Sequence, residues 1–405
     1  MWYNILKIKR FEVYYIKEVF RGVKVKLYPT KEQIEYFELC VKARNFAYNW
    51  GLEIWRKHYD KTKSNIGMYS LNNMFNEYKK LEENKWLYLV CSKVCSLAFK
   101  DLESAYYKYF KGLKNKPIFK NDKSKKSFPV RLDNITITDK YIKISKKKYI
   151  KYKNNSDILP KGYFNGNTKT TKLSNGRITY DGINWYFSMN VKVSINNNSN
   201  TSNEILGIDF GMKNYMVLSN GKIYNHILND ERIVKEKKNI VKLYRKLSNK
   251  YKINGYNKTK DMIRLEKLIN IKYKKIKNIK NTYLHKITKE IVDLKPKKIV
   301  VERFETLRLY KQFRYKRSKE FSKRLMELNF YTLQRYLKYK CENNGIEYIE
   351  VDKNYSATQR CSNCGNVKVG DNKLSINHRV YKCDKCGLEM DRDLNASINL
   401  KKYTT

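Results

Sequence analysis

Residues 22–28, GVKVKLY, alternate apolar and basic side chains, which predicts a half-exposed strand stopped by Pro29. A helix is expected directly after it. Thr30 and Gln33 make a capping-box pair, and Ile34, Phe37, Val41 and Tyr48 recur at helical spacing toward ARNFAYNWGLEIW. A second helix is predicted over 92–110, with Val94, Ala98, Ala105 and Tyr109 on one face and Gly112 as its stop. Both helices read either as ordinary core elements or as carriers that present Lys42, Arg44, Lys108 and Lys111 to a phosphate backbone. From about Phe128 to Ile195 the period changes to two, in NITI, YIKI, RITY and above all WYFSMNVKVSI, where Trp185, Phe187, Met189, Val191 and Val193 face one way. The strand before Pro29 has no nearby partner, so it is expected to join these later strands. The helical segment then becomes an insertion into a small β-barrel.

The polar, turn-prone run SINNNSNTSN (194–203) marks a linker, and a new pattern begins after it. EILGIDFGMKNYMVLSNGKIYN reads as three strands joined by tight turns, with Asp209 set inside the first, apolar strand. A carboxylate there is costly unless it binds something. Long basic helices are predicted over 229–251 and 258–293, ended by Pro296. Their lysine rows are either solvated faces or a paired arm that grips a duplex. KKIVVERFETL gives a short β-branched strand of the buried parallel kind, with Glu302 at its end. One more helix is expected over 319–344, closed by Gly345, and IEYIEVD is a strand leading into a cysteine-rich stretch.

In that stretch Cys361 and Cys364 form one CxxC, and Cys383 and Cys386 form a second, with 18 residues between the two pairs. Two such knuckles let four thiolates surround one tetrahedral Zn²⁺, and Gly365 and Gly387 suit the turn each knuckle needs. A closed four-thiolate zinc has no open coordination position, so it is structural and chemistry must come from elsewhere. The other cysteines, Cys40, Cys91, Cys95 and Cys341, lie in apolar or helical contexts suited to buried free thiols, which fits a reducing cytoplasm. The opening MWYNILKIKRFEVYYIKEVF lacks the features of a signal peptide, so export is not expected.

Charge narrows the partner. The 405 residues hold 87 Lys and Arg against 39 Asp and Glu, a formal +48, which calls for a long polyanion. A membrane surface is the competing partner, but no run of 18 apolar residues exists and the basic residues are spread throughout. Nucleic acid is the expected partner.

Three carboxylates sit on segments that can converge: Asp209 in the first strand, Glu302 at the end of a later parallel strand, and Asp393 near the N-cap of a helix begun by MDRDLNASINL. Each alone has a plain structural reading, Asp393 as a helix cap in particular. Together, in a strongly basic chain, they point to hard-cation binding by Mg²⁺ or Mn²⁺ and to two-metal phosphodiester hydrolysis.

GIDFGMKNYMVLS, IVVERF and DRDLNASINL resemble the three motifs of a RuvC-like, RNase H-fold nuclease, with a zinc ribbon interrupting the third as in the TnpB proteins of bacterial insertion sequences. VKVKLYPTKEQIEYFELCVKARNFAYNWGLE, KNKPIFK and WYFSMNV are similar to that family's amino-terminal helical motif, basic Pro-Phe segment and late barrel strand. The resemblance spans about Arg21 to Leu400. Arg303 departs from it, standing where an acidic residue is commoner, as does the amino-terminal extension; neither removes a metal ligand.

The fold it implies is a multidomain α+β and α/β chain. An extension (1–20) precedes a split β-barrel wedge domain (21–32 and 115–195) with an inserted helical recognition bundle (33–114); a linker (196–203) leads to a RuvC-like nuclease domain (204–357 and 391–405) with an inserted four-cysteine zinc ribbon (358–390). The implied activity is RNA-guided cleavage of DNA, related to type V CRISPR effectors. Asp209, Glu302 and Asp393 match the catalytic acids that hold Mg²⁺ or Mn²⁺, Asp393 being preferred to Asp391 because it directly precedes LNAS, and the four cysteines match the zinc ligands. The implied partners are a guide RNA from the transposon end and double-stranded target DNA with a short flanking motif, with one protein per guide, in the cytoplasm at the nucleoid.

Other readings compete. A catalytically silent guide-directed repressor has no use for all three acids. A transposase acting on transposon ends shares the fold, but no tyrosine nucleophile stands beside paired histidines, and the four His are scattered. A zinc-ribbon DNA-binding regulator leaves Asp209 and Glu302 unexplained.

Overall fold

The computed structural model describes residues 16–122, 124–131, 135–138, 140–145, 148–153, 175–196, 202–255, 257–303, 319–352, 354–375 and 378–403. They fall into two compact units, one from Glu18 to Ser194 and one from Ile195 onward. No helix among the described residues is long and apolar enough to cross a membrane.

In the first unit, strands β1 (Ile16–Tyr28), β2 (Ser127–Val130), β3 (Thr136–Ile137), β4 (Tyr141–Ser145), β5 (Lys148–Tyr152), β6 (Gly176–Tyr180) and β7 (Trp185–Asn196) form one sheet in the order β2-β6-β7-β1-β5-β4-β3. β1 thus takes its place between two late strands, pairing antiparallel with β5 through Leu27 and Tyr152. It reaches back to Ile16, so residues 16–20, set aside in the sequence as part of an extension, belong to the strand.

Helices α1 (Lys31–Thr62), α2 (Met68–Tyr78) and α3 (Ser92–Phe110) stand between β1 and β2. The Thr30–Gln33 capping box starts α1, and Gly112 follows α3 at φ +67°. Phe37 joins α1 to the sheet, its ring 5.6 Å from Phe128 and 5.0 Å from Trp185. α2 and the 3-10 turn at Glu82–Leu89 were not anticipated.

Arg44 is a correction. It does not face outward to a phosphate; it is buried and donates to Asp101 at 2.9 Å, and Arg177 of β6 closes on the same carboxylate at 2.7 Å. A buried guanidinium spent on a half-buried carboxylate joins α1, α3 and β6 instead of binding a ligand.

In the second unit, β8 (Ile205–Phe210), β9 (Asn214–Leu218), β10 (Ile223–Asn225), β11 (Lys298–Val301) and β12 (Glu347–Glu350) form a mixed sheet in the order β10-β9-β8-β11-β12. β8, β11 and β12 run parallel, and β9 and β10 are added antiparallel. A hairpin of α4 (Glu231–Asn254) and α5 (Lys260–Val292) connects β10 to β11.

The helix expected over 319–344 is two helices, α6 (Lys319–Glu327) and α7 (Phe330–Asn343), broken at Asn329 with φ +56°. At the break Lys280 Nζ donates to the Glu327 carbonyl at 2.9 Å and Tyr215 Oη donates to that of Leu328, so the carbonyls at the end of α6 are satisfied from distant segments.

Within the α4–α5 hairpin, Glu236 is a buried carboxylate held by Lys275 at 2.6 Å and Lys272 at 2.9 Å. The lysine hydrogen bonds, Lys275 first, lower its pKa to about 2. Stability from a depressed carboxylate is full above the ordinary glutamate range and is lost as pH falls toward 2. Glu236→Gln is expected to lower the urea-unfolding free energy of the full chain by about 2 kcal/mol at neutral pH, with a smaller difference at pH 3.

Candidate metal centre and acidic site

Asp209 lies near the end of β8, buried at 7% exposure, in a strand whose other inward positions are apolar. Glu302 follows β11 directly. Since Val301 is in register with Ile208, the two acids end adjacent parallel strands about 5 Å apart. The backbone carbonyl of Glu302 takes a hydrogen bond from Gln334 of α7 at 3.4 Å. Asp393 arrives from α8 (Arg392–Lys401) and is 4% exposed.

α8 can reach β8 because residue 207 is glycine. A Cβ there would fall 2.0 Å from the Ser397 carbonyl oxygen and 2.5 Å from the Lys401 amide, both backbone atoms of α8. Gly207→Ala should therefore destabilise the full chain by about 3 kcal/mol or more in urea unfolding, because backbone cannot step aside as a side chain can.

The start of α8 differs from expectation in one respect. Its N-cap is Asp391, whose Oδ1 accepts from the amides of Asp393 at 3.0 Å and Leu394 at 2.9 Å. Asp393 is thereby relieved of capping and sits in the first turn.

Electrostatics tie the acids together. Burial pushes the Asp209 carboxyl well above its usual range; Glu302, Asp393 and Asp391 add to this, and Arg392 opposes it. Burial likewise raises Glu302. Among the described residues, no hydrogen bond or ion pair reaches the side-chain oxygens of Asp209 or Glu302. A buried and a half-buried carboxylate without donors, beside a third that is buried, are a site that suits a divalent cation. Among the described residues the cysteines form the one group of three or more potential ligands placed to hold a metal, their sulfurs all within 4.8 Å of one another; the three acids do not form such a group.

Those cysteines close a different site. Cys361 Sγ lies 3.6 Å from Cys386 Sγ, and Cys364 Sγ lies 3.6 Å from Cys383 Sγ. Four sulfurs about 2.3 Å from a tetrahedral Zn²⁺ would stand about 3.8 Å apart, so the group fits zinc. The knuckles are near copies. Gly365 N donates to Cys361 O at 3.0 Å with φ +74°, and Gly387 N donates to Cys383 O at 3.0 Å with φ +73°. The backbone N–H of Leu388 first, and then the Asn363 side chain and the neighbouring thiols of Cys364 and Cys383, lower the Cys386 thiol to about 6, favouring the thiolate a metal needs. β13 (Val380–Lys382) and β14 (Glu389–Asp391) pair across this module.

The ribbon is stapled to α8 by residues that sequence reasoning missed. Asn395 donates to Arg360 O at 2.7 Å and accepts from Ser362 N at 2.9 Å; Asn399 donates to Ala357 O at 3.0 Å and Arg360 O at 2.6 Å. Both are essentially fully buried. The available signal was two amides four residues apart on the face of a helix that also carries Ala396 and Leu400.

Residues 19–64 match the family model of a helix-turn-helix domain, HTH_OrfB_IS605, and residues 330–400 match that of the Cas12f1-like TNB domain. A relative from Escherichia coli (strain K12), named as the RNA-guided DNA endonuclease InsQ, is 24% identical over 393 residues, covering 94% of this chain and 91% of its own. One from Streptomyces pristinaespiralis, also named as an RNA-guided DNA endonuclease, is 24% identical over 95% of this chain and 89% of its own. The CRISPR-associated endodeoxyribonuclease Cas12f1 of Sulfoacidibacillus thermotolerans is 33% identical over 31% of this chain and 28% of its own. The cryo-EM structure of a Cas12f1–sgRNA–target DNA complex superposes with a TM-score of 0.56 at 16% identity, covering 92% of this chain and 83% of that one. The sheets, inserted helices and four-cysteine module thus define a chain of Cas12f1-type fold. Two segments of the chain match models of the TnpB and Cas12f1 proteins, and relatives named as RNA-guided DNA endonucleases are similar to it along most of its length.

Proposed function

We propose that this chain is an RNA-guided DNA endonuclease of an insertion sequence, hydrolysing target DNA at an Asp209-Glu302-Asp393 site. The observation that carries the catalytic assignment is the donor-less pair of Asp209, buried, and Glu302, half-buried, with Asp393 close enough to act on the Asp209 carboxyl. Relatives of similar length bear the endonuclease name. The β10-β9-β8-β11-β12 order, two antiparallel strands beside three parallel ones, supports the RuvC-like, RNase H-fold reading of the second unit.

In this reading the seven-stranded sheet is the wedge, α1 to α3 are the recognition bundle, and the cysteine module is a structural zinc ribbon. Bound Mg²⁺ or Mn²⁺ would supply an activated water and charge stabilisation of the leaving oxygen. Asp209 and Glu302 hold such cations from the sheet and Asp393 from the helix. The partners are a transposon-end guide RNA and duplex DNA beside a short flanking motif, with one protein per guide, in the cytoplasm of a bacterial host.

The test is to co-express the chain with its own flanking DNA, sequence the RNA that copurifies, and challenge the complex with a target library in Mg²⁺ beside Asp209→Ala. Bound transposon-end RNA and guide-directed cuts lost in the variant are expected. Guide-directed occupancy without cuts in either protein would make it a repressor instead, and no bound RNA would end the guided reading.

A further inference from the structure

Asp393 is held by its own neighbour. The Arg392 side chain is 14% exposed beside a carboxylate that is 6% exposed. Its Nε and Nη2 donate at 3.1 and 2.8 Å, both to Asp393 Oδ1. An arginine that only stabilises a carboxylate does best as a fork, with one N–H on each oxygen. Here both fall on one oxygen and Oδ2 takes neither. Oδ2 lies 3.8 Å from where a Cβ would stand on Gly211, two residues beyond Asp209, so it faces the end of β8. The clamp is itself anchored: Arg392 opens α8, and its amide donates to Arg379 O at 2.8 Å.

We propose that Arg392 is a positioning residue of the acidic site, fixing Asp393 through Oδ1 so that Oδ2 is presented to the divalent cation it shares with Asp209. The inference rests on the nuclease reading above. Asp391, Arg392 and Asp393 then have separate tasks: the first caps the helix, the second clamps, and the third binds metal. A buried guanidinium is costly to desolvate, and here it holds one oxygen of a metal-site acid while leaving the other available.

The test uses guide-loaded protein carrying Arg392→Gln or Arg392→Lys. It follows Mn²⁺ binding by the loss of the free-ion EPR signal, single-turnover cleavage across Mn²⁺ concentrations, target-DNA Kd and thermal melting. For Arg392→Gln, half-saturating Mn²⁺ should rise about tenfold or more, with Kd for DNA within about twofold of wild type and part of the rate restored at high Mn²⁺. Arg392→Lys should fall between, since one ammonium keeps the charge but not the paired donors. If Arg392→Gln does not fold, the lysine variant decides. Wild-type Mn²⁺ affinity in the variants, or a rate loss with Mn²⁺ affinity unchanged, would overturn the proposal. If wild type neither binds Mn²⁺ nor cleaves, and Asp209→Ala matches it, the nuclease reading falls and takes this inference with it.

Discussion

Asp209→Asn should abolish cleavage and, in metal-free buffer, make the protein more stable. Its carboxyl is raised because the ionised form is disfavoured where it stands, by burial first and then by Glu302 and Asp393. For a carboxyl raised on folding, the penalty is absent below the ordinary aspartate range, grows as pH rises through it, and is full once the folded group ionises. At neutral pH the metal-free wild type therefore carries a strain that the amide lacks. Differential scanning fluorimetry in buffer without Mg²⁺ or Mn²⁺, with the zinc left in place, should place the variant above wild type, on the order of 2–4 °C for each kcal/mol relieved. Adding Mg²⁺ or Mn²⁺ should raise the wild type and leave the variant nearly unmoved. Single-turnover cleavage should fall by at least about 10³-fold, corresponding to roughly 4 kcal/mol of barrier. Because protons and metal compete for the same oxygens, the acid limb of the wild-type pH–rate profile should move to lower pH as Mn²⁺ is raised. A variant less stable than wild type in that Mg²⁺- and Mn²⁺-free buffer would make Asp209 an ordinary structural acid.

Cys383→Ser should silence the nuclease although no cysteine touches its chemistry. The ribbon's knuckles hold residues 361–365 and 383–387, and the loop from Ala357 to Ser362 is bonded to Asn395 and Asn399 of the helix that carries Asp393. Structural zinc contributes about 10–16 kcal/mol to small zinc modules at neutral pH, so losing it unfolds the ribbon outright. The start of α8 is then freed, and Asp393 with it. Metal analysis should fall from about one zinc per chain to near zero. Cleavage should drop by about 10²-fold or more, the scale of a misplacement of about 1 Å. Guide-RNA retention by the first unit should persist. Retained cleavage in a zinc-free variant would separate the ribbon from the acidic site.

What the sequence made legible was what local pattern dictates. β8 and β11 are short, β-branched and buried, and an acid in or just after such a strand is conspicuous. The paired CxxC spacing pointed to four thiolates, and the structure gathers them. The α6–α7 break had only a weak local signal, an asparagine at the left-handed position; the donors that satisfy its carbonyls, Lys280 and Tyr215, lie 47 and 113 residues away. The burial of Arg44 depends in the same way on Asp101, 57 residues on. Asp391 and Asp393 both satisfy the pattern of a helix cap, and only the amide directions assign that task to Asp391.

The contact at Gly207 bears on how such a chain can diverge. Helix and strand meet there through main-chain atoms, with no side chain between them to grow, shrink or be exchanged. The separation of Asp209 and Asp393 is therefore insulated from most mutational drift. Substitutions elsewhere on the helix can alter its tightness but not its stand-off from the strand, so the surrounding sequence is free to wander far while the spacing of the acids is inherited unchanged.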